Sequence, residues 1–252
     1  MEDQTAIKTE TPQVSSFMER LTDVFTSPDK LYTEVSVSPV QNSSWTFPYV
    51  ISLVLSVLFT IALFSNQSLR DQIMEPQLNQ LHQRVEKGEI TQEQADRAEE
   101  FMASSSIMLI TSAVGTIVIV SISVFGVPLV FWLIVRFIFK SQTGYKKILE
   151  VYGLSSIIGI LNTIVTLIMM HLFDSVRATP GLSLLLMSNF DYTNSIHKLL
   201  GSLNFITIWQ TVVFGIGIAK ASNKTNSVGV FLSLSLWLIY VIISSLTGIG
   251  IR

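Results

Sequence analysis

The chain of 252 residues is 49% hydrophobic and 13% charged, about half the charged fraction of a soluble domain, which places most of its burial in lipid. A formal net charge of -2 excludes the basic footprint of a nucleic-acid binder. The absence of cysteine excludes disulfides, thiolate metal sites, iron–sulfur clusters and thiol nucleophiles together.

The N-terminal segment is polar and acidic. It lacks the short apolar core of a secretory signal and is expected to remain in the mature protein. Within it, FMERLTDVFTSPDKLYTEVS sets Phe17, Leu21, Val24 and Phe25, then Leu31, Tyr32 and Val35, at helical spacing. Ser27 followed by Pro28 reads as an N-cap and a first helical residue, so two short amphipathic helices meet at a corner there. Their apolar face suits the membrane interface, a cytosolic partner, or the chain's own helix ends. The sequence leaves these three open.

A hydrocarbon core about 30 Å thick takes roughly 20 apolar residues to cross as helix, because lipid offers no partner to an unpaired amide. Five stretches qualify: Thr46–Phe64, Ile107–Phe139, Val151–Phe173, Leu199–Ala219 and Val228–Gly250. The second is too long for one upright span. It reads either as one helix, tilted or kinked where Gly126 and Pro128 interrupt it, or as two half-helices meeting there. The run Ala178–Phe190 is uncharged but short, and Pro180-Gly181 near its start favours an interfacial segment. The expectation is an all-α polytopic membrane protein with five transmembrane helices. Residues 1–45 form an amphipathic cytosolic segment, and residues 46–250 the membrane domain.

Between the first two spans, residues 66–104 read as an extramembrane helical hairpin. Met74, Leu78, Leu81 and Val85 make one stripe, Lys87-Gly88 closes the first arm, and Thr91 with Gln94 resembles a capping box that opens the second. No breaker separates that arm from the second span, so the two are expected to join. Its clustered Glu93, Asp96, Glu99 and Glu100 suit either a solvated face or a cation or partner site.

The stretch RFIFKSQTGYKKILEVYG lies between two very apolar runs and carries Arg136, Lys140, Lys146 and Lys147. With the N-terminus inside, the inner face collects nine Lys and Arg against seven outside, and the short inner loops are the more basic. The four cations, with Tyr145 in the interfacial aromatic belt, read as a topology and headgroup anchor. The N-terminus is expected in the cytosol and the C-terminus on the opposite face.

No sequence pattern of a zinc protease, a serine nucleophile elbow or a phosphate-binding loop is present. No catalytic, cofactor or metal residue is therefore assigned. His171 and Asp174, one turn apart, suit a proton relay or a snorkelling pair at a helix end. Small residues in the spans, including Ser155-x-x-x-Gly159 and Gly215-x-x-x-Ala219, let helices approach closely. Asn162, Asn204 and Gln210 are the intramembrane polar candidates, either bonding helices together or lining a hydrophilic path or lipid groove.

VFTSPDKLY before the first span, FWLIVRFIFKSQTGYKKILEVYGLSSIIGIL, and FITIWQTVVFGIGIAKASNKTNSVGVFLSLSLWLI across the last two occur in an order that resembles the Yip family, the Ypt/Rab-interacting-protein domain of five-span membrane proteins, and especially its shorter prokaryotic-type members. The resemblance implies a cytosolic N-terminus and a non-enzymatic membrane-organising or partner-binding scaffold. It implies membrane lipids and a second copy or other membrane proteins as partners, and the plasma or inner membrane in a prokaryote. Eukaryotic relatives are implicated in traffic between endoplasmic reticulum and Golgi and bind prenylated small GTPases. That partner applies only to a eukaryotic source. The alternative from another class is a passive channel or carrier for lipid, ion or small solute.

Overall fold

The computed structural model describes residues 15–191 and 194–247. Expectations that fall on Lys8, Gly250 and Arg252 lie outside these residues. Among the described residues there is no strand, only an isolated bridge between Gly181 and Asn204. The chain is an all-α polytopic membrane protein. Four helices, α3 (Ser43–Ser65), α6 (Ser105–Phe137), α7 (Tyr145–Leu172) and α10 (Asn226–Thr247), are long and apolar enough to cross a membrane. A fifth apolar helix, α9 (Phe205–Ala221), is shorter; at 17 residues it spans about 25 Å at 1.5 Å per residue.

α1 (Phe17–Thr26) and α2 (Pro28–Val37) form at the expected corner. Ser16 and Glu19 close a capping box on α1, and Pro28, with no N–H to lose, opens α2. The hairpin arms are α4 (Gln67–Glu86) and α5 (Gln92–Ala103). At the tip the amide of Glu89 donates to Arg84 and that of Gly88 to Val85, with Gly88 at φ +69°. This is a helix stop that a left-handed glycine permits. Thr91 and Gln94 make the expected capping box.

Two boundaries differ from the sequence reading. Ser104, with ψ at 94°, breaks the helix between α5 and α6 at the start of a triple-serine run, because serine offers the backbone competing hydrogen bonds. The expected fourth span is divided: α8 (Ser195–Ser202) ends and Asn204 caps α9, accepting from the amides of Ile206 and Thr207. Asn204 thus lies at a helix start, where its side chain replaces missing intrahelical partners. The turn before α7 is made by Lys140, at φ +55°, while Gly144 is the extended N-cap. α6 is continuous through Gly126 and Pro128 over 33 residues, or about 50 Å of helix. Tyr145 donates to the carbonyl of Phe125, 2.9 Å away, beside the carbonyl of Val124 that Pro128 leaves without its amide.

In the bundle α7 lies between α3 and α9, α6 packs on α3 and α7, and α10 packs on α9. α7 is the most enclosed of the four long apolar helices. Glycine sets the closest approaches. A Cβ at Gly153 would overlap the backbone of Trp45 and the carbonyl of Ser44, and one at Gly229 would overlap the carbonyl of Gly215. The buried core is concentrated at one end of the bundle, where Val24, Leu31, Tyr32 and Val35 meet Val135, Ile148, Val151 and Ile218. Of the three surfaces open to the N-terminal helices, the structure selects the chain's own helix ends.

Candidate functional site

Under that N-terminal cap lies a cluster of four charged side chains. Arg20 and Glu150 are fully buried, Lys147 is 12% and Glu34 22% exposed. Arg20 stands one turn before Val24, in the apolar stripe of α1, so packing that stripe on the bundle carries the guanidinium inward. Its Nη1 donates to Glu150 Oε1 at 3.2 Å and to Ser44 Oγ at 3.4 Å, and its Nη2 to Glu34 Oε1 at 3.0 Å. Glu150, in the second turn of α7, also accepts from the amide of Gln41 at 3.1 Å and from Lys147 Nζ at 2.7 Å. Lys147 completes its three donors on the carbonyls of Val35, 2.7 Å, and Ser38, 2.9 Å, at the end of α2.

Two cations and two carboxylates balance, so the cluster adds no net charge to the interior, and nearly every donor is matched. Only the Nε of Arg20 lacks a partner. Burial tends to raise the carboxyl of Glu34, but hydrogen bonds from the hydroxyl and amide of Ser15, and Arg20 itself, outweigh it and hold the group below the usual carboxylate range. Around the cluster, Tyr32 donates to the carbonyl of Val151 at 3.2 Å, and its own burial pushes the phenol up. At the rim Asp29 meets Lys220 at 2.8 Å and Asn226 at 2.6 Å. These bonds, that of Lys220 foremost, hold the Asp29 carboxyl down. The cap is therefore tied to α3, α7, α9 and the start of α10.

The basic island divides. Arg136, Lys140 and Lys146 are exposed, with Arg136 bonded to Gln142 at 2.5 Å. Lys147 faces inward, its donors occupied by protein, and Tyr145 bonds α6 as described. Asn162 and Asn204 are brought together at 3.0 Å, with Asn162 Nδ2 3.5 Å from Thr207 Oγ1. Gln210, one turn along α9, lies against Gly159. These three form a polar seam between α7 and α9. His171 and Asp174 do not pair: His171 Nδ1 lies 2.9 Å from the carbonyl of Leu167, while Asp174 accepts from Asn66 and Gln72 of the hairpin.

Sequence reasoning missed Arg20, Glu34 and Glu150 as a unit. Two signals were present: an arginine in an apolar stripe, and Lys147-x-x-Glu150 at one-turn spacing immediately before a span.

A polytopic helical bundle with its N-terminal helices locked onto one end by buried charge defines an integral, multi-pass membrane protein. The chain belongs to the Yip1 domain family, whose model matches residues 22–247. That match takes in both sides of the charge cluster except Arg20. No curated protein and no solved structure matches the chain.

Proposed function

We propose that this protein is a non-enzymatic scaffold of the Yip type, organising its membrane or a protein partner through the docked N-terminal helices. The observation that carries the reading is the Arg20–Glu34–Glu150–Lys147 cluster. A flexible tail does not need four matched, desolvated charges; a surface presented in one geometry does. The face turned away from the bundle is polar and exposed at Glu19, Thr22, Thr26, Lys30 and Thr33, which suits a soluble or peripheral protein. In this reading the N-terminus is cytosolic and exposed Arg136, Lys140 and Lys146 mark the same membrane face, where anionic headgroups attract them. Trafficking is the process this scaffold serves in a eukaryotic setting.

Photo-crosslinkers placed at Thr22, Thr26 and Thr33 test it in native membranes. A defined protein partner or a second copy is expected to be captured at these positions, and capture is expected to fall when Glu150→Gln loosens the platform. A protein strictly monomeric in nanodiscs, with no crosslinked species in membranes, would overturn the proposal.

A further inference from the structure

At the end of the bundle opposite the charge cluster, a cavity of about 330 Å³ opens among the end of α7, the loop that follows it, α8, the start of α9 and the last turns of α10. Its lining combines the cationic Arg177 and Lys198, the hydroxyl-bearing Ser183 and Ser244, and the apolar Met170 and Trp237. Among the described residues no carboxylate lines it; Asp191 follows the lining Phe190 in the chain. We propose that this cavity binds the phosphate-bearing headgroup of an anionic phospholipid, with the acyl chains leaving over the apolar side into the bilayer.

Its wall is held in place. The amide of Leu182 donates to Leu203 at 3.0 Å and that of Phe205 to Pro180 at 2.9 Å, closing the loop across the bundle end. The short 3-10 segment Leu182–Leu186 buries Ser183 and bonds it to Thr179 at 2.6 Å. The same segment exposes Leu184 and Leu185, apolar surface over which an acyl chain would run. The Arg177 guanidinium lies over the Phe190 ring, 3.5 Å from its centroid. Cations and apolar side chains in one lining match an amphiphile better than a free ion, and the volume lies within the range of small-ligand pockets.

The proposal is independent of the scaffold reading, because its site and its readout involve neither the N-terminal helices nor a protein partner. The purified full chain in detergent micelles is titrated with phosphatidylglycerol, with phosphatidylcholine and with inorganic phosphate, and bound species are counted by native mass spectrometry. Phosphatidylglycerol is expected to be retained roughly 30-fold over phosphatidylcholine, two basic residues each contributing to the preference. Arg177→Gln/Lys198→Gln should remove it, and Arg84→Gln/Lys87→Gln on the hairpin should leave it intact. If the double variant does not fold, Lys198→Gln alone should lower the preference roughly fivefold. Equal retention of both lipids, or an unchanged preference in the folded variant, overturns the proposal. Displacement of the lipid by millimolar inorganic phosphate also overturns it, making the cavity a plain anion site.

Discussion

Replacing Glu150 by glutamine keeps the shape of the side chain and removes one charge from the cluster. Arg20 then keeps Glu34 as its carboxylate while Lys147 keeps only the carbonyls of Val35 and Ser38, and the amide oxygen that replaces Glu150 Oε1 and Oε2 can no longer serve Arg20, the Gln41 amide and Lys147 together. Breaking a buried ion pair from one side costs about 3–5 kcal/mol. Lys147 and Glu34 retain some exposure, 12% and 22%, so the lower end, about 3 kcal/mol, is expected, or roughly a 100-fold shift in the docking equilibrium of α1 and α2. Because the chain has no cysteine, Val24→Cys, at a fully buried site, reports undocking through maleimide labelling. Glu150→Gln should speed labelling by about that factor, while exposed Thr22→Cys should label alike in both backgrounds. Arg20→Met/Glu150→Met, which removes one charge of each sign, should recover much of the loss. A change no larger than the ~0.5 kcal/mol typical of surface substitutions, with helicity intact, would refute the idea that the cluster holds the cap.

Two further outcomes follow from neighbouring features. Gly153→Ala sets a methyl against the Trp45 backbone, which cannot move aside as a side chain can. It should lower thermal stability by about 1–3 kcal/mol, whereas Gly115→Ala, with nothing within 4 Å, should be tolerated on the same melting assay. The carboxyl of Glu34 is held below its ordinary value, so its contribution is present above the unfolded-state pKa and lost as pH falls through the lower, folded one. Melting of the wild type should therefore be insensitive to this group from neutral pH down to the usual carboxylate range and fall in stronger acid, and Glu34→Gln should flatten that acid limb; an unchanged limb would assign the loss to other groups.

The expected class and the element types were legible in composition and periodicity, since a chain with long uncharged runs has few ways to satisfy its backbone except as helices in lipid. Local signals worked where the chemistry is local: Ser27-Pro28 at the corner of α1 and α2, Lys87-Gly88 and Thr91-Gln94 at the hairpin tip. They failed at Ser104 and Asn204, polar residues that hydropathy alone counts as tolerable inside a run but that turn their oxygens or backbone to ending and starting helices. Asn162 and Asn204 stood out as intramembrane polar residues from the sequence, yet only packing showed them bonded to each other.

What the sequence determined by itself was which long runs suit lipid, because transfer between water and lipid depends on a residue's own chemistry and that of its near neighbours. Only the tertiary structure decided that Arg20 and Lys147 face inward. The partners of Arg20, Glu34 and Glu150, lie 14 and 130 positions away, and the stability of a buried charge depends on which opposite charges the fold brings within a few ångströms.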